Sequence, residues 1–160
     1  MSLSVIRDAH ISMAFGSDQL RPQVESLVRA QGIGDRVHLL GNVSHPELQE
    51  IYSAADYFLL GSHHEGSGYA LIESLACGAT PIVSDIPSFR RITGGGRIGR
   101  LWKTENPESL KEAIAMAVRD PIPREVVREH FQNNLSFDAI ARSSLDAYVE
   151  LRQLRSTRSE

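Results

Sequence analysis

The 160-residue sequence predicts a doubly wound α/β fold, a mostly parallel sheet with helices on both faces. Two observations carry that expectation. Short apolar runs alternate about five times with stretches of helical apolar spacing, and the runs are apolar throughout rather than alternating, the pattern of parallel strands covered on both sides.

Each element follows from its residues. "HISMAF" (10 to 15), closed by Gly16, reads as a buried strand. From Leu20 the spacing of Val24, Leu27 and Val28 is helical, and Gly32 supplies the stop. "RVHLLG" is a second strand. Ser44 and Glu47 have the spacing of a capping box, opening a helix with Leu48, Ile51, Tyr52 and Ala55 on one stripe. "DYFLLG" is a third strand. A helix over about residues 69–77 ends at Gly78, and "PIVSD" follows as a fourth strand with Pro81 at its first position. A short helix near "SFRRIT" leads to a fifth strand, "IGRLW". Asn106 then caps, and Pro107 starts, a helix with Leu110, Ala113, Ile114, Ala117 and Val118 on one face. One helix follows "DPIPREVV". Another starts at Ser136 with Ile140, Ala141, Leu145, Tyr148 and Val149 expected to face inward, and the terminal "RSTRSE" is a polar tail expected to fray.

Composition narrows the function classes. Hydrophobic residues at 41% and charged residues at 23% describe a folded globular chain of about one domain. A net charge of −3 without any Lys/Arg run gives no basic face for nucleic acid. No apolar run approaches the length of a membrane span, and "MSLSVIRDAH" lacks the apolar core of a signal peptide, so a cytoplasmic protein without transmembrane segments is expected. The single cysteine, Cys77, lies in the apolar run "ALIESLACG" and reads as a small buried residue.

In a doubly wound sheet, ligands sit beyond the carboxyl ends of the strands, where loops enter helices. The turns at issue run from Gly16 to Gln19, Gly41 to Ser44, Gly61 to Gly68 and Ser84 to Ser88. "GGGRIG" matches a dinucleotide fingerprint as a string, but a helix precedes it and a strand follows, the reverse of the required order, so it reads as a flexible surface turn. Ser67 lacks the spacing of a nucleophile elbow. His63, His64 and Glu65 are adjacent on an extended turn and point apart, which favours residues rimming a pocket over a metal site.

"HHEGSGYALIESLACG" is the informative stretch, with Glu65 and Glu73 separated by seven residues. Gly66 and Gly68 let the backbone turn sharply, and Ser67, Gly68 and Tyr69 present amides at a helix start, where unpaired N–H groups and the helix dipole favour an anion. Glu73, about one helical turn further in, needs donors, and vicinal sugar hydroxyls supply them. Two carboxylates flanking a phosphate-binding turn suit a ligand shaped sugar, phosphate, sugar. A partly exposed helix glutamate and a solvated loop charge fit the same spacing, and spacing alone does not separate the two readings.

"EGSGYALIESLACGATPIVSD" resembles the E-x7-E segment of the family-four retaining glycosyltransferases with the GT-B fold. "RVHLLGNVSHPELQEIYSAADYFLLGS" resembles the family's segment just upstream and "NPESLKEAIAMAV" its segment downstream, so the likeness covers roughly residues 11–148. It implies a Rossmann-like C-terminal half of such an enzyme, binding a nucleotide-sugar donor and transferring a hexose to an acceptor with retention and without a metal or cofactor. By the same resemblance Glu73 binds ribose hydroxyls, and Glu65 contacts the transferred sugar and is the candidate catalytic residue. Gly66, Ser67, Gly68 and Tyr69 hold the sugar and diphosphate, Gly16 lies near the donor, and the backbone at Gly41, Asn42 and Val43 meets the base.

The sequence also departs from the pattern. Ser67 stands in place of an aromatic, and "DIPSFRR" replaces a glycine pair followed by a glutamate, which alters contacts around Pro87, Ser88 and Arg90. The family's first C-terminal-domain strand, with its diphosphate-clamping Arg and Lys, has no counterpart here. The chain is therefore expected to be truncated, without that strand or the N-terminal acceptor-binding domain, and inactive alone. An exposed sheet edge is expected to promote homodimers, and a parent enzyme is compatible with peripheral membrane association. The alternative is a non-catalytic nucleotide-binding or regulatory α/β module.

Overall fold

A computed structural model describes residues 8–156. The elements run β1 (Ile11–Ala14), α1 (Arg21–Ala30), β2 (Val37–Gly41), α2 (His45–Ala54), β3 (Tyr57–Leu60), α3 (Tyr69–Cys77), β4 (Thr80–Ser84), α4 (Pro87–Ile92), β5 (Arg100–Trp102), α5 (Pro107–Arg119), α6 (Arg124–Asn134) and α7 (Phe137–Ser156). The chain divides into two compact units with the boundary after Ile51, inside α2. Strand and helix alternate as the sequence predicts, and every strand pairing is parallel. The strands form two ladders, β1-β2 in the first unit and β3-β4-β5 in the second.

In the first unit Ile11 pairs with Val37 and Met13 with Leu39, and the register slips between Met13 and Ala14. Burial along β1 and β2 alternates, with Ile11, Met13, Val37 and Leu39 half-buried and their neighbours exposed. The expectation of strands covered on both faces does not hold for this ladder. Its His10 and His38 rings meet through Nδ1 and Nε2, 3.2 Å apart at the surface. The capping box at α2 forms in part: the Ser44 amide and hydroxyl both donate to Glu47 Oε2, at 2.7 and 2.6 Å.

The second unit carries the main core. β4 is buried at every position. Leu71 and Leu75 of α3, Val83, Ile86, Phe89 and Ile92 around α4, Ile98, and Val127 of α6 form one apolar cluster. The start and stop signals of its helices act as read. Asn106 Oδ1 accepts from the Ser109 amide at 2.9 Å to cap α5, and Gly78, at φ +84, closes α3. Two arginines of α6 tie the unit together. Arg124 donates to the carbonyls of Ser53, Ala55 and Cys77, and Arg128 to that of Cys77, placing cations on the exposed carbonyls at helix C-termini.

Four expectations need correction. The glycine run before β5 is not a loose surface turn: the Ile98 amide bonds the Thr93 carbonyl, the Gly96 amide bonds the buried Thr93 hydroxyl, and Gly99 is buried. A Cβ at Gly99, whose φ is +109, would lie 2.2 Å from the Pro81 carbonyl oxygen, so that position requires glycine. The expected inward face of α7 is exposed, Leu145 at 64% and Tyr148 at 68%. Among the described side chains of α7 only Ala139, in its first turn, is buried, because amphipathic spacing shows that a stripe exists and not what covers it. Val118, placed on the inner face of α5, is likewise exposed. α7 also continues to Ser156, taking in the first residues of the tail expected to fray.

Candidate functional site

The second unit contains an open cleft of about 470 Å³ at the carboxyl ends of β3 and β4. One wall is the loop entering α3, through His63, His64, Glu65 and Gly66. The other is the loop entering α4, through Ile86, Pro87 and Ser88. Both lie where a parallel sheet presents its strand-to-helix turns.

Local sequence builds the first wall. The Gly68 amide donates to Glu65 Oε1 at 3.2 Å, so the half-buried carboxylate folds over its own turn. Gly68 is the N-cap of α3 at φ +65, and a Cβ there would come within 2.7 Å of Ile92 Cδ1. Conformation and space both demand glycine at this position. Gly66 is different: it does not adopt the left-handed conformation and has open space around its Cα, so the sharp turn expected of both glycines belongs to Gly68 alone. Ser67 and Tyr69 are exposed. Beyond Gly68, the amides of Tyr69, Ala70 and Leu71 open the helix, where N–H groups lack intrahelical acceptors and the dipole is positive. This end of α3 favours an anion beside the cleft.

Glu73 lies one turn further along α3, half-buried, and outside the residues that line the cleft. It is near Tyr52, the phenol of which is held above its ordinary value first by burial and then by the negative charge of Glu73. The two glutamates therefore sit on one turn-and-helix unit, with Glu65 in the wall and Glu73 set back along the helix. Gly16, Asn42 and Val43 belong to the first unit, just past the ends of β1 and β2, where the Phe15 amide bonds the Gly41 carbonyl at 2.9 Å. Gly16 and Asn42 are exposed and Val43 half-buried.

In the second wall Pro87 starts α4 and Ser88 turns into the cleft, so the unusual "DIPSFRR" segment does shape it. Arg90 does not: its guanidinium is paired with Asp85. Beside the first wall, His63 Nε2 lies 3.9 Å from Glu105 Oε1, an ion pair when the imidazole is protonated. Glu105 holds φ +59, the left-handed conformation, alone among the described non-glycine residues. Sequence reasoning named Ser84 only as the start of a candidate turn and missed its hydroxyl, which bonds the backbone of Ser62 between the two walls. A serine ending the otherwise apolar "PIVS" was the available signal.

The family described as glycosyl transferases group 1 matches residues 12–134. The chain belongs to that family. The group 1 assignment agrees with the fold, mixed α/β with parallel sheets flanked by helices, and identifies a family-four-type glycosyltransferase domain of the GT-B class. Among relatives, the chain is 34% identical over 113 residues to the GDP-mannose:cellobiosyl-diphosphopolyprenol alpha-mannosyltransferase of Komagataeibacter xylinus, covering 70% of this chain and 28% of that protein. Sucrose-phosphate synthase from Thermosynechococcus elongatus superposes with a TM-score of 0.74 at 27% identity, over 96% of this chain and 41% of that one. A pneumococcal O-GlcNAc transferase shares the fold with a TM-score of 0.72 at 17% identity, over 94% of this chain and 31% of that one. The chain spans about a quarter to a third of the length of the mannosyltransferase relatives it matches. Among the described residues, no helix is long and apolar enough to cross a membrane.

Proposed function

We propose that this group 1 chain is the donor-binding, C-terminal part of a retaining glycosyltransferase that moves a hexose from a nucleoside-diphosphate sugar to an acceptor. The observation that carries the reading is the turn from Glu65 to Tyr69, a carboxylate and a row of helix-start amides set together at the wall of a cleft beyond a parallel sheet. The amides take the diphosphate, and their partial positive charge stabilises the negative charge that grows on it as the anomeric C–O bond breaks. Glu65 exchanges its internal bond to Gly68 for hydroxyls of the transferred sugar. Glu73 accepts from the ribose hydroxyls. The acceptor oxygen bonds the anomeric carbon on the face the diphosphate leaves, and its proton passes to the departing diphosphate. No metal or cofactor is assigned in this reading, because the amides and the helix dipole provide the positive field.

The mannosyltransferase relative makes GDP-mannose the first donor to try. The acceptor-binding portion belongs to the whole enzyme. In the full-length protein, with GDP-mannose, UDP-glucose and UDP-N-acetylglucosamine offered in turn, one donor is consumed with release of its nucleoside diphosphate, and Glu73→Ala raises KM for it about tenfold or more. Donor turnover indifferent to both Glu73→Ala and Glu65→Gln would place the site elsewhere. Nucleotide binding without turnover would instead favour a regulatory module.

A further inference from the structure

We propose that Ser84 is a positioning residue of the donor site, setting the wall that carries Glu65 by extending the sheet one rung beyond its backbone pairing. The inference rests on the donor-site reading above. The β3-β4 ladder ends at Leu60 and Val83, and the β4-β5 ladder ends at Ser84 and Trp102. Past Val83 the two cleft walls diverge: the chain from Ser62 leads to His63, His64 and Glu65, and the chain from Ser84 leads to Ile86, Pro87 and Ser88.

Ser84 stands at that fork, 0% exposed. Its hydroxyl accepts from the Ser62 amide at 2.9 Å and donates to the Ser62 carbonyl at 2.7 Å. One side chain thus meets both backbone groups of the first wall's opening residue, standing in for the neighbouring strand a further rung would have supplied. On the other side the Asp85 amide donates to the Trp102 carbonyl at 2.7 Å, continuing the pairing to β5. Trp102 also packs on the preceding residue of the first wall, since a Cβ at Gly61 would lie 3.0 Å from its ring. The backbone leading to Glu65 is therefore held from beneath at residues 61 and 62, and the Glu65 carboxylate is held at its tip by Gly68. An alanine at 84 strands an amide and a carbonyl at the start of the wall, and the loop gains freedom that donor binding has to remove.

The test combines amide hydrogen exchange with titration by GDP-mannose and UDP-glucose, followed at the Tyr69 and Ala70 amides of the labelled chain. In Ser84→Ala, exchange at residues 62 to 66 speeds about tenfold while Leu60 and Val83 stay protected, and binding of whichever nucleotide sugar the wild type takes weakens roughly tenfold. Ser84→Thr, which keeps the hydroxyl, recovers most of both. Ser62→Ala changes neither, because the contact uses only its backbone. Unchanged exchange in Ser84→Ala overturns the proposal, as does faster exchange with wild-type affinity. If Ser84→Ala does not fold, wild-type-like exchange and binding in Ser84→Thr support the proposal, and loss of binding in a folded Ser84→Thr with protected 62–66 amides overturns it. A wild-type chain that binds neither sugar nucleotide overturns the donor-site reading itself, and the exchange data then report separately on the loop.

Discussion

The two parallel ladders of this chain are built from similar apolar runs and end in different environments. β1 and β2 bury one side and leave Ser12, Ala14 and His38 exposed, and among the described residues the first unit contributes one buried apolar side chain, Ile33, at 8% exposure. β4 is buried along its whole length, beneath a cluster in which Leu71, Leu75, Val83, Phe89 and Val127 are all 0% exposed. Stability in the second unit therefore depends on close packing, whereas the first depends more on backbone pairing and local caps. The cleft of the second unit inherits this rigidity, since its walls leave the sheet from β3 and β4.

The sharpest way to break the comparison is to remove matched side chains. Phe89→Ala leaves a cavity in the closed core and should cost about 3–5 kcal/mol, against less than about 1.5 kcal/mol for Met13→Ala on half-buried β1. Denaturant unfolding of the two variants, with losses of equal size, would refute the contrast. A second pair uses glycines that share the left-handed conformation. Gly99→Ala should cost more than about 3 kcal/mol, because its Cβ meets the Pro81 carbonyl at 2.2 Å. Gly41→Ala, in open space at φ +70, should cost about 1–2 kcal/mol from backbone strain alone.

A smaller effect is expected beside the cleft. Glu105→Gly relieves a left-handed conformation at an exposed residue and should raise thermal stability by roughly 0.5–1 kcal/mol, and a fall would show that its contact with His63 outweighs the strain. The smallest lies in the first unit. The hydroxyl and amide of Ser44 hold the Glu47 carboxyl below its ordinary value. A depressed folded value means that the contribution is present above the unfolded value and is lost as pH falls through the folded one. The start of α2 should therefore loosen only in acid, below the normal glutamate range. Carboxyl NMR of wild type and Ser44→Ala checks the direction: the variant should titrate at the higher pH.

Much of the fold was legible because its signals are local. The Asn106-Pro107 start, the Gly78 stop and the apolar "PIV" core strand each act through their own neighbours and appear where they were read. What stayed hidden is non-local. Whether anything covers α7, whether Gly99 meets a carbonyl from β4 and whether β1 is covered on one face or two depend on distant segments, which apolar spacing does not encode. At the candidate site, the Glu65-to-Gly68 turn and the anion-favouring end of α3 were readable from residue types and spacing. The Ser84 contact spans 22 residues to the backbone of Ser62: the serine closing the apolar "PIVS" marked a polar group at the strand end, but its partner is distant in sequence and could not be read.

The central claim is that the β3-α3 turn holds a nucleotide-sugar diphosphate while Glu73 holds the ribose. Its most direct test is an amide NMR titration of the labelled chain with millimolar GDP-mannose, UDP-glucose and ADP-glucose, for wild type and Glu73→Ala. The account predicts shifts at Gly66 to Tyr69 for one nucleotide, weakened about tenfold or more by Glu73→Ala. Shifts confined to other surfaces, or shifts at the turn that Glu73→Ala leaves unchanged, would contradict it.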